Sequence, residues 1–249
     1  MGMGRNALVT GAASGIGAAC AMLLAERGVG RLVLVDLDGA ALDALDLPGC
    51  EVLRFIGDVA DPALWERIEV EAGPLDHAVL NAGIGRGAPI ANLSFETWRE
   101  LMTVNLDGMF LSLKTALRLA ADGASLVLTA SVAGIKPEIG NAAYSTSKAA
   151  VIQLAKVAAK EGAARGIRVN AIAPGGVDTP IWDKMPFFAG IVAQHGGDRA
   201  EALAAMGKGT PLGRFASAAE IAAQVAFLLS DDAATITGTV LVSDGGYLL

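Results

Sequence analysis

The chain has 249 residues, 53% hydrophobic and 18% charged, which supplies a large core and argues against disorder. Its 19 basic and 26 acidic side chains leave a net charge of −7, so no basic face is expected for nucleic acid or an anionic membrane. Cys20 and Cys50 make neither a disulfide framework nor a paired metal spacing, and both read as buried free thiols of a reducing compartment. The Ala-rich run from Ala7 to Ala25 starts behind Arg5 like a secretory signal, but Thr10, Ser14 and three glycines interrupt it. No apolar stretch reaches the roughly 18 residues of a membrane span, so a soluble, cytoplasmic protein is expected.

The first short apolar run, Ala7–Thr10, leads into Thr10-Gly11-Ala12-Ala13-Ser14-Gly15-Ile16-Gly17, and helical spacing follows through Ile16, Cys20, Leu23 and Arg27. Gly11 lets the chain turn, Gly15 removes the side chain where a pyrophosphate must approach, and Gly17 permits close helix–sheet packing. The unpaired N–H groups of the helix start then face an anion. The G-x-x-x-G-x-G spacing also fits a plain strand-to-helix turn. Its place at the first strand–helix junction favours the dinucleotide reading.

The second run, Leu32–Asp36, ends in a carboxylate nineteen positions after Gly17. Such a group accepts hydrogen bonds from the adenosine ribose and repels a 2′-phosphate. Leu37 follows it, and Ala12, Ala13 and Ser14 put no cation in the loop, so NAD is favoured over NADP. Asp38 is available to cap the next helix in its place.

The third run is Val52–Ile56, and Asp61-Pro62 then gives an N-cap with proline at the first helical position. Ala78–Asn81 and Leu126–Ser131 are the fourth and fifth. Ser131 closes the fifth strand at a carboxyl end, where α/β sheets place ligands, and its hydroxyl can orient a reacting oxygen. Thirteen residues later Tyr144-Ser145-Thr146-Ser147-Lys148 opens a helix that continues through Val151, Leu154, Ala155 and Ala158. The i, i+4 spacing sets Tyr144 and Lys148 on one face. An ammonium about 5 Å from the phenol contributes about 3 kcal/mol, or roughly two pKa units, before other effects. That makes Tyr144 the expected proton carrier and lets Lys148 also hold a nicotinamide ribose.

Arg168–Ala173 is the sixth run. A capping box, Ser217-x-x-Glu220, opens a helix traced by Ile221, Val225, Leu228 and Leu229, and Val240–Ser243 is the seventh run. Most runs lack polar alternation, as strands buried on both faces should. With no repeat, low-complexity tract or linker, residues 1–249 are expected to form one domain. The fold class is α/β: a Rossmann-type doubly wound fold with an about seven-stranded parallel sheet and helices on both faces. Gly175–Gly213 is the one long stretch read as irregular, with a substrate-binding loop or lid at about 179–213.

Taken together, the motifs resemble the classical short-chain dehydrogenase/reductase family over essentially the whole chain. The resemblance rests on Thr10–Gly17, Asp58-Val59, Asn81-Ala82-Gly83, Asn105, Ser131, Tyr144-x-x-x-Lys148, and Pro174-Gly175 with Thr179. It implies hydride transfer between a nicotinamide dinucleotide and an alcohol or carbonyl carbon, with Asn105, Ser131, Tyr144 and Lys148 catalytic. It implies that Asp58 and Val59 contact the adenine, that Asn81, Ala82 and Gly83 flank the cofactor, and that Val177 and Thr179 hold the carboxamide near Pro174 and Gly175. Asn105 would hold a water linking Lys148 to solvent. A homotetramer is also implied, with the strand near Val240–Leu249 at an interface. Two features depart from the family pattern. The segments Ala60–Asp76 and before Leu126 look short, which should trim helices, and Ala130 stands where many members carry a second serine.

Ile181, Trp182, Met185, Phe187, Phe188, Ile191 and Val192 hold three of the chain's twelve aromatic residues in a short window. They suit an apolar secondary alcohol or ketone of cyclic, aryl or steroid-like shape, unless they pack on the protein itself or on a neighbouring subunit. Lys184 is read as solvated, and His77 and His195 as surface or loop residues without metal-ligand spacing. No G-x-S-x-G elbow surrounds Ser131, which argues against a hydrolase. A second reading is an NADPH-dependent carbonyl or 3-oxoacyl-thioester reductase, which Asp36 and the net charge disfavour. A catalytically idle binding protein would be expected to lose Ser131, Tyr144 or Lys148.

Overall fold

The computed structural model describes residues 5–249. β1 (Asn6–Thr10) is followed by α1 (Gly15–Glu26), β2 (Arg31–Asp36) by α2 (Gly39–Asp43), and β3 (Glu51–Ile56) by α3 (Pro62–Glu71). β4 (Leu75–Leu80) precedes α4 (Phe95–Met102) and α5 (Gly108–Leu119), and β5 (Ala120–Thr129) precedes α6 (Ala142–Gly162). After β6 (Arg168–Pro174) come β7 (Val177–Asp178), α7 (Pro186–Gln194), α8 (Arg199–Gly207), β8 (Ala216–Ser217), α9 (Ala218–Leu229) and β9 (Val240–Ser243).

Seven strands form one parallel sheet in the order β3-β2-β1-β4-β5-β6-β9, and β7 pairs with β8 separately. Alternate side chains of each strand feed different cores. Leu8, Val33, Leu80, Leu126 and Leu128 pack with Ile68, Leu113 and Val151 of α3, α5 and α6. Val9, Leu32, Leu34, Val79 and Val127 pack with Cys20, Leu24, Ile221 and Val225 of α1 and α9. Both faces are covered, so the strands carry continuous apolar runs. This is a single-domain Rossmann-like fold. Strand order reverses between β1 and β4, which opens a crevice at their carboxyl ends.

The start signals act as expected. The Ala63 N–H donates to Asp61 Oδ1 at 3.0 Å, and both halves of the Ser217–Glu220 capping box are formed. α5 passes into β5 without a loop. The register with β4 shifts between Leu75 and His77, and Gly123 turns the chain at φ 83°.

Three sequence expectations are corrected. Gly175–Gly213 is not irregular: α7 and α8 occupy much of it and enclose a small core of Phe188, Ala202 and Leu203. The chain Pro-Phe-Phe-Ala-Gly-Ile-Val of α7 has no polar face to mark a 3.6-residue period, so a helix buried on one side reads as an apolar loop. His77 is buried in β4, not at the surface, and burial lowers it to a pKa of about 4. Cys20 is buried and its thiol pushed up to about 12, whereas Cys50 is only half-buried because it sits beside the first residue of the edge strand β3. Among the described residues, no helix is long and apolar enough to cross a membrane.

Candidate active site

The turn after β1 places Gly11 and Gly15 at φ 64° and 53°, a left-handed conformation that glycine adopts without strain. A Cβ on Gly17 would collide with the Gly11 carbonyl oxygen and lie 2.9 Å from Asn81 Nδ2, so the turn and helix close on each other. Thr10 locks this junction to β4: its Oγ1 accepts the N–H of Asn81 at 2.9 Å and of Ala82 at 3.0 Å. Ser14 caps α1 in an extended conformation and makes no side-chain cap bond. The Asp36 carboxylate is fixed across the loop, Oδ2 accepting the Ala13 N–H at 2.9 Å and Oδ1 the Asp38 N–H at 3.1 Å. Asp38 itself caps α2 through the Ala41 N–H. Asp58 Oδ1 accepts the Ala60 N–H at 2.9 Å, and the Val59 carbonyl accepts Trp65 Nε1–H at 2.7 Å.

Ser131 lies just past β5 in extended backbone, and its Oγ accepts the Ala133 N–H at 3.2 Å. Gly134 brings this turn against α6, where a Cβ would touch the Lys148 backbone at 2.7 Å. Lys148 Nζ donates to the Thr129 carbonyl at 2.8 Å and lies 5.8 Å from the Tyr144 ring centroid. Burial lowers Lys148 to about 8. The Tyr144 phenol is raised, because burial outweighs the hydrogen bond from Ser131 that pulls it down. The fall expected from an ammonium at helical spacing is therefore not the net result; sequence spacing carries no information on desolvation.

Asn105 sits on a π-helical turn, Thr103–Asp107, and is fully buried. Its Oδ1 accepts the Ile84 N–H at 2.8 Å, and its Nδ2 donates to the Ile84 carbonyl at 2.9 Å and to Ser147 Oγ at 3.3 Å. The amide thus braces the turn after β4. A Cβ at Gly83 would lie 3.2 Å from Asn105 Oδ1 and 3.4 Å from Lys148 Nζ, so these groups converge on that glycine.

One cleft of about 990 Å³ collects every candidate residue except Gly17 and Asn105, which stand behind its wall. Gly11, Ser14, Gly15, Ile16, Asp36, Asp58 and Val59 line one end; Asn81, Ala82, Gly83, Pro174, Gly175, Val177 and Thr179 line the middle, beside Ser131, Tyr144 and Lys148. The apolar window of 181–192 divides. Ile181, Trp182, Met185 and Phe187 line the cleft, while Phe188, Ile191 and Val192 pack only in the core of the cap formed by α7 and α8, against which Trp182 and Met185 also lie. Trp182 is stacked on Phe215 at 5.4 Å and donates its Nε1–H to the Val177 carbonyl at 2.7 Å. Lys184 lines the cleft and is exposed. Across from the cap, the Tyr247 phenol donates to the Glu138 carboxylate, and Lys136 Nζ lies 4.2 Å from the Tyr247 ring centroid. Among the described residues, no three His, Cys, Asp or Glu side chains gather as a metal site.

A family model described as enoyl-(acyl carrier protein) reductase matches residues 11–248. The cis-4-hydroxycyclohexanecarboxylate dehydrogenase of Sinomonas cyclohexanicum is 41% identical, with 98% of this chain and 96% of that protein covered. A 3-oxoacyl-[acyl-carrier-protein] reductase of Thermotoga maritima is 36% identical, with coverages of 99% and 98%. The crystal structure of levodione reductase superimposes with a TM-score of 0.88 at 34% identity, covering 99% and 98%. The chain belongs to the classical short-chain dehydrogenase/reductase family. It is therefore an oxidoreductase acting on alcohols or ketones, in a family that uses nicotinamide cofactors.

The residues present fit such a dinucleotide. A Cβ at Gly15 would stand 3.2 Å from the Thr179 side chain, so glycine lets the loop after β1 approach the wall that carries Thr179. Sequence reasoning had the loop motif but missed Thr10 as its anchor to β4, and it missed Glu138 and Tyr247 altogether. Thr10 opens the Thr10–Gly17 motif and carries a hydroxyl at a strand end, which was the available signal. Nothing local marks Tyr247, whose partner is 109 positions away.

Proposed function

We propose that the chain is an NAD-dependent dehydrogenase that moves a hydride between NAD(H) and an apolar secondary alcohol or ketone of cyclic, aryl or steroid-like shape. The observation that carries this reading is a single cleft with Asp36 at one end and Ser131, Tyr144 and Lys148 beside an apolar cap at the other. The Sinomonas cyclohexanicum relative, a dehydrogenase of a hydroxycyclohexanecarboxylate, supports the cyclic alcohol.

Bound NAD supplies the hydride acceptor, and NADH the donor. The backbone of Gly11, Ser14, Gly15 and Ile16 holds the pyrophosphate, with Gly17 letting the helix close behind it. Asp36 takes the adenosine ribose, Asp58 and Val59 the adenine, and Asn81, Ala82 and Gly83 flank the middle. Pro174, Gly175, Val177 and Thr179 form the wall for the nicotinamide end. Tyr144 Oη takes the proton from the alcohol hydroxyl in oxidation and returns it in reduction. Ser131 Oγ orients that oxygen. Lys148 shares the Tyr144 face of α6, with Nζ 5.8 Å from the phenol ring centroid, and binds the nicotinamide ribose. Asn105, whose side-chain amide braces the backbone of Ile84, holds a water on the proton's path from Lys148 to solvent.

NAD is favoured because the Asp36 carboxylate is anchored by two amides and has no cation within ion-pairing distance among the described residues, so a 2′-phosphate would meet an uncompensated negative charge. The second reading, a 3-oxoacyl-thioester reductase using NADPH, draws on the Thermotoga maritima relative. Asp36 and the −7 charge weigh against it. We also propose a homotetramer, which the exposed Phe95, Phe110, Phe227 and Leu249 support.

A panel of cyclic and aryl secondary alcohols, followed by nicotinamide absorbance with NAD and with NADP, tests the reading. Tyr144→Phe should lower turnover at least about a hundredfold while NAD still binds. Wild-type turnover in that variant would refute the role of Tyr144, and a large preference for NADPH would refute the cofactor.

A further inference from the structure

The cap contains a charged contact set that the proposed mechanism leaves unused. Arg199, the first residue of α8, directs its guanidinium at three acceptors from the chain leaving the sheet. Nη1 donates to Asp178 Oδ1 at 2.8 Å, Nε to Asp183 Oδ1 at 2.8 Å, and Nη2 to the Thr179 carbonyl at 3.0 Å. The guanidinium carbon also lies 6.0 Å from the Phe188 ring centroid, in the core of the cap. One side chain thus fastens α8 and α7 to the end of β7.

Thr179 is the contact that gives this arrangement a function. It is buried, lines the cleft, and faces the phosphate loop across Gly15 at van der Waals range. It is also the point where the cap leaves the sheet, since Ile181, Trp182 and Met185 follow it into the apolar end. A carbonyl held from the cap side fixes the Thr179–Pro180 peptide plane, and with it the direction in which the Thr179 side chain is presented.

We propose that Arg199 is a positioning residue for the cofactor: it holds Thr179 in place against the nicotinamide end, so that seating of the cap and affinity for the dinucleotide are coupled. The inference rests on the dinucleotide reading of the cleft. The planar guanidinium fork can meet three acceptors at once, whereas a lysine ammonium cannot match that fixed geometry. Both ion pairs are solvent-exposed, a type that contributes little to stability and weakens with salt. The effect should therefore appear in binding rather than in folding.

The test is NADH affinity, measured by fluorescence titration without substrate, together with the melting temperature. Arg199→Gln should weaken NADH binding about tenfold, the scale seen when a supporting contact is lost, with little change in Tm. Arg199→Lys should recover only part of that loss. Thr179→Ala should weaken binding by itself, and adding Arg199→Gln to it should cost little more, because Arg199 acts through Thr179. Wild-type affinity in Arg199→Gln, or losses that simply multiply in the double variant, would overturn the proposal. If Arg199→Gln does not fold, Asp183→Asn carries the same test with a smaller loss of about threefold, and unchanged affinity there overturns it equally. Absence of NADH binding by the wild-type protein would instead overturn the dinucleotide reading.

Discussion

Asp36 is held at the mouth of the cleft by the amides of Ala13 and Asp38, with Leu37 exposed beside it. A carboxylate fixed in this way cannot swing aside for a 2′-phosphate, and two charges at hydrogen-bonding range cost on the order of 1–4 kcal/mol near a protein surface. Replacing Asp36 by Ala removes that repulsion, and replacing Leu37 by Arg adds a cation on an already solvated side chain. The pair Asp36→Ala, Leu37→Arg is expected to raise the ratio of kcat/KM for NADP over NAD by at least about tenfold. Steady-state kinetics with both cofactors checks this, and an unchanged ratio would remove Asp36 as the discriminating group. Asp36 could be picked out because one carboxylate at one distance from a glycine loop has few other uses. Thr10 and Arg199 could not be given their structural parts, since those depend on partners brought together by folding, Asn81 in one case and Asp178 with Asp183 in the other. Tyr144 and Lys148 were legible as a pair, yet the direction of the Tyr144 shift was not, because burial of the phenol is a property of the whole cleft.

Two glycines on helices make opposite predictions. Gly17 in α1 faces the Gly11 carbonyl oxygen and Asn81 Nδ2, and neither can yield without opening the glycine loop after β1. Gly17→Ala should therefore cost about 1–3 kcal/mol of stability, as overpacking does, and weaken NAD binding. Gly190 lies in the exposed part of α7, where a Cβ would meet nothing within 4 Å. Gly190→Ala should stabilise by up to about 1 kcal/mol, since alanine loses less backbone entropy in a helix. Urea unfolding of both variants, with NAD titration of the first, measures the contrast. The same two helices mark what patterning can disclose. α1 follows a strand and a glycine motif, so its start was fixed by chemistry. α7 is apolar nearly all round and interrupted by glycine, and the cap it builds with α8 has a private core that only tertiary packing defines. Asp198, whose Oδ1 accepts the Ala200 and Glu201 N–H groups, was the overlooked start signal of α8.

Across the whole molecule the two ends of the sheet do different work. The carboxyl ends form the cleft, and the amino ends are closed by a polar cluster. There Arg168 donates to the carbonyls of Leu228, Leu229, Ser230 and Ile236, tying the end of α9 to β6. Arg5 pairs with Asp231 at 3.5 Å and approaches His77 Nε2 at 3.4 Å, while His77 Nδ1 has no hydrogen-bond partner. Burial first, and then the Arg5 charge, lowers His77 from its ordinary 6.5 to about 4, with Asp76 and Asp231 opposing. Below pH 6.5 the unfolded chain takes up a proton that the folded chain refuses until about pH 4. Stability that is complete above pH 6.5 is therefore lost as the pH falls through that window. The depression corresponds to about 3 kcal/mol once both states are protonated. His77→Phe fills the site without a titratable group and should lack this component, although the carboxylates will still contribute their own acid sensitivity. Urea unfolding of both proteins at pH 7 and pH 4, at one protein concentration, isolates the difference. A wild-type protein whose acid loss matches that of His77→Phe would show that the imidazole is solvated, and that the amino end of the sheet is open to water.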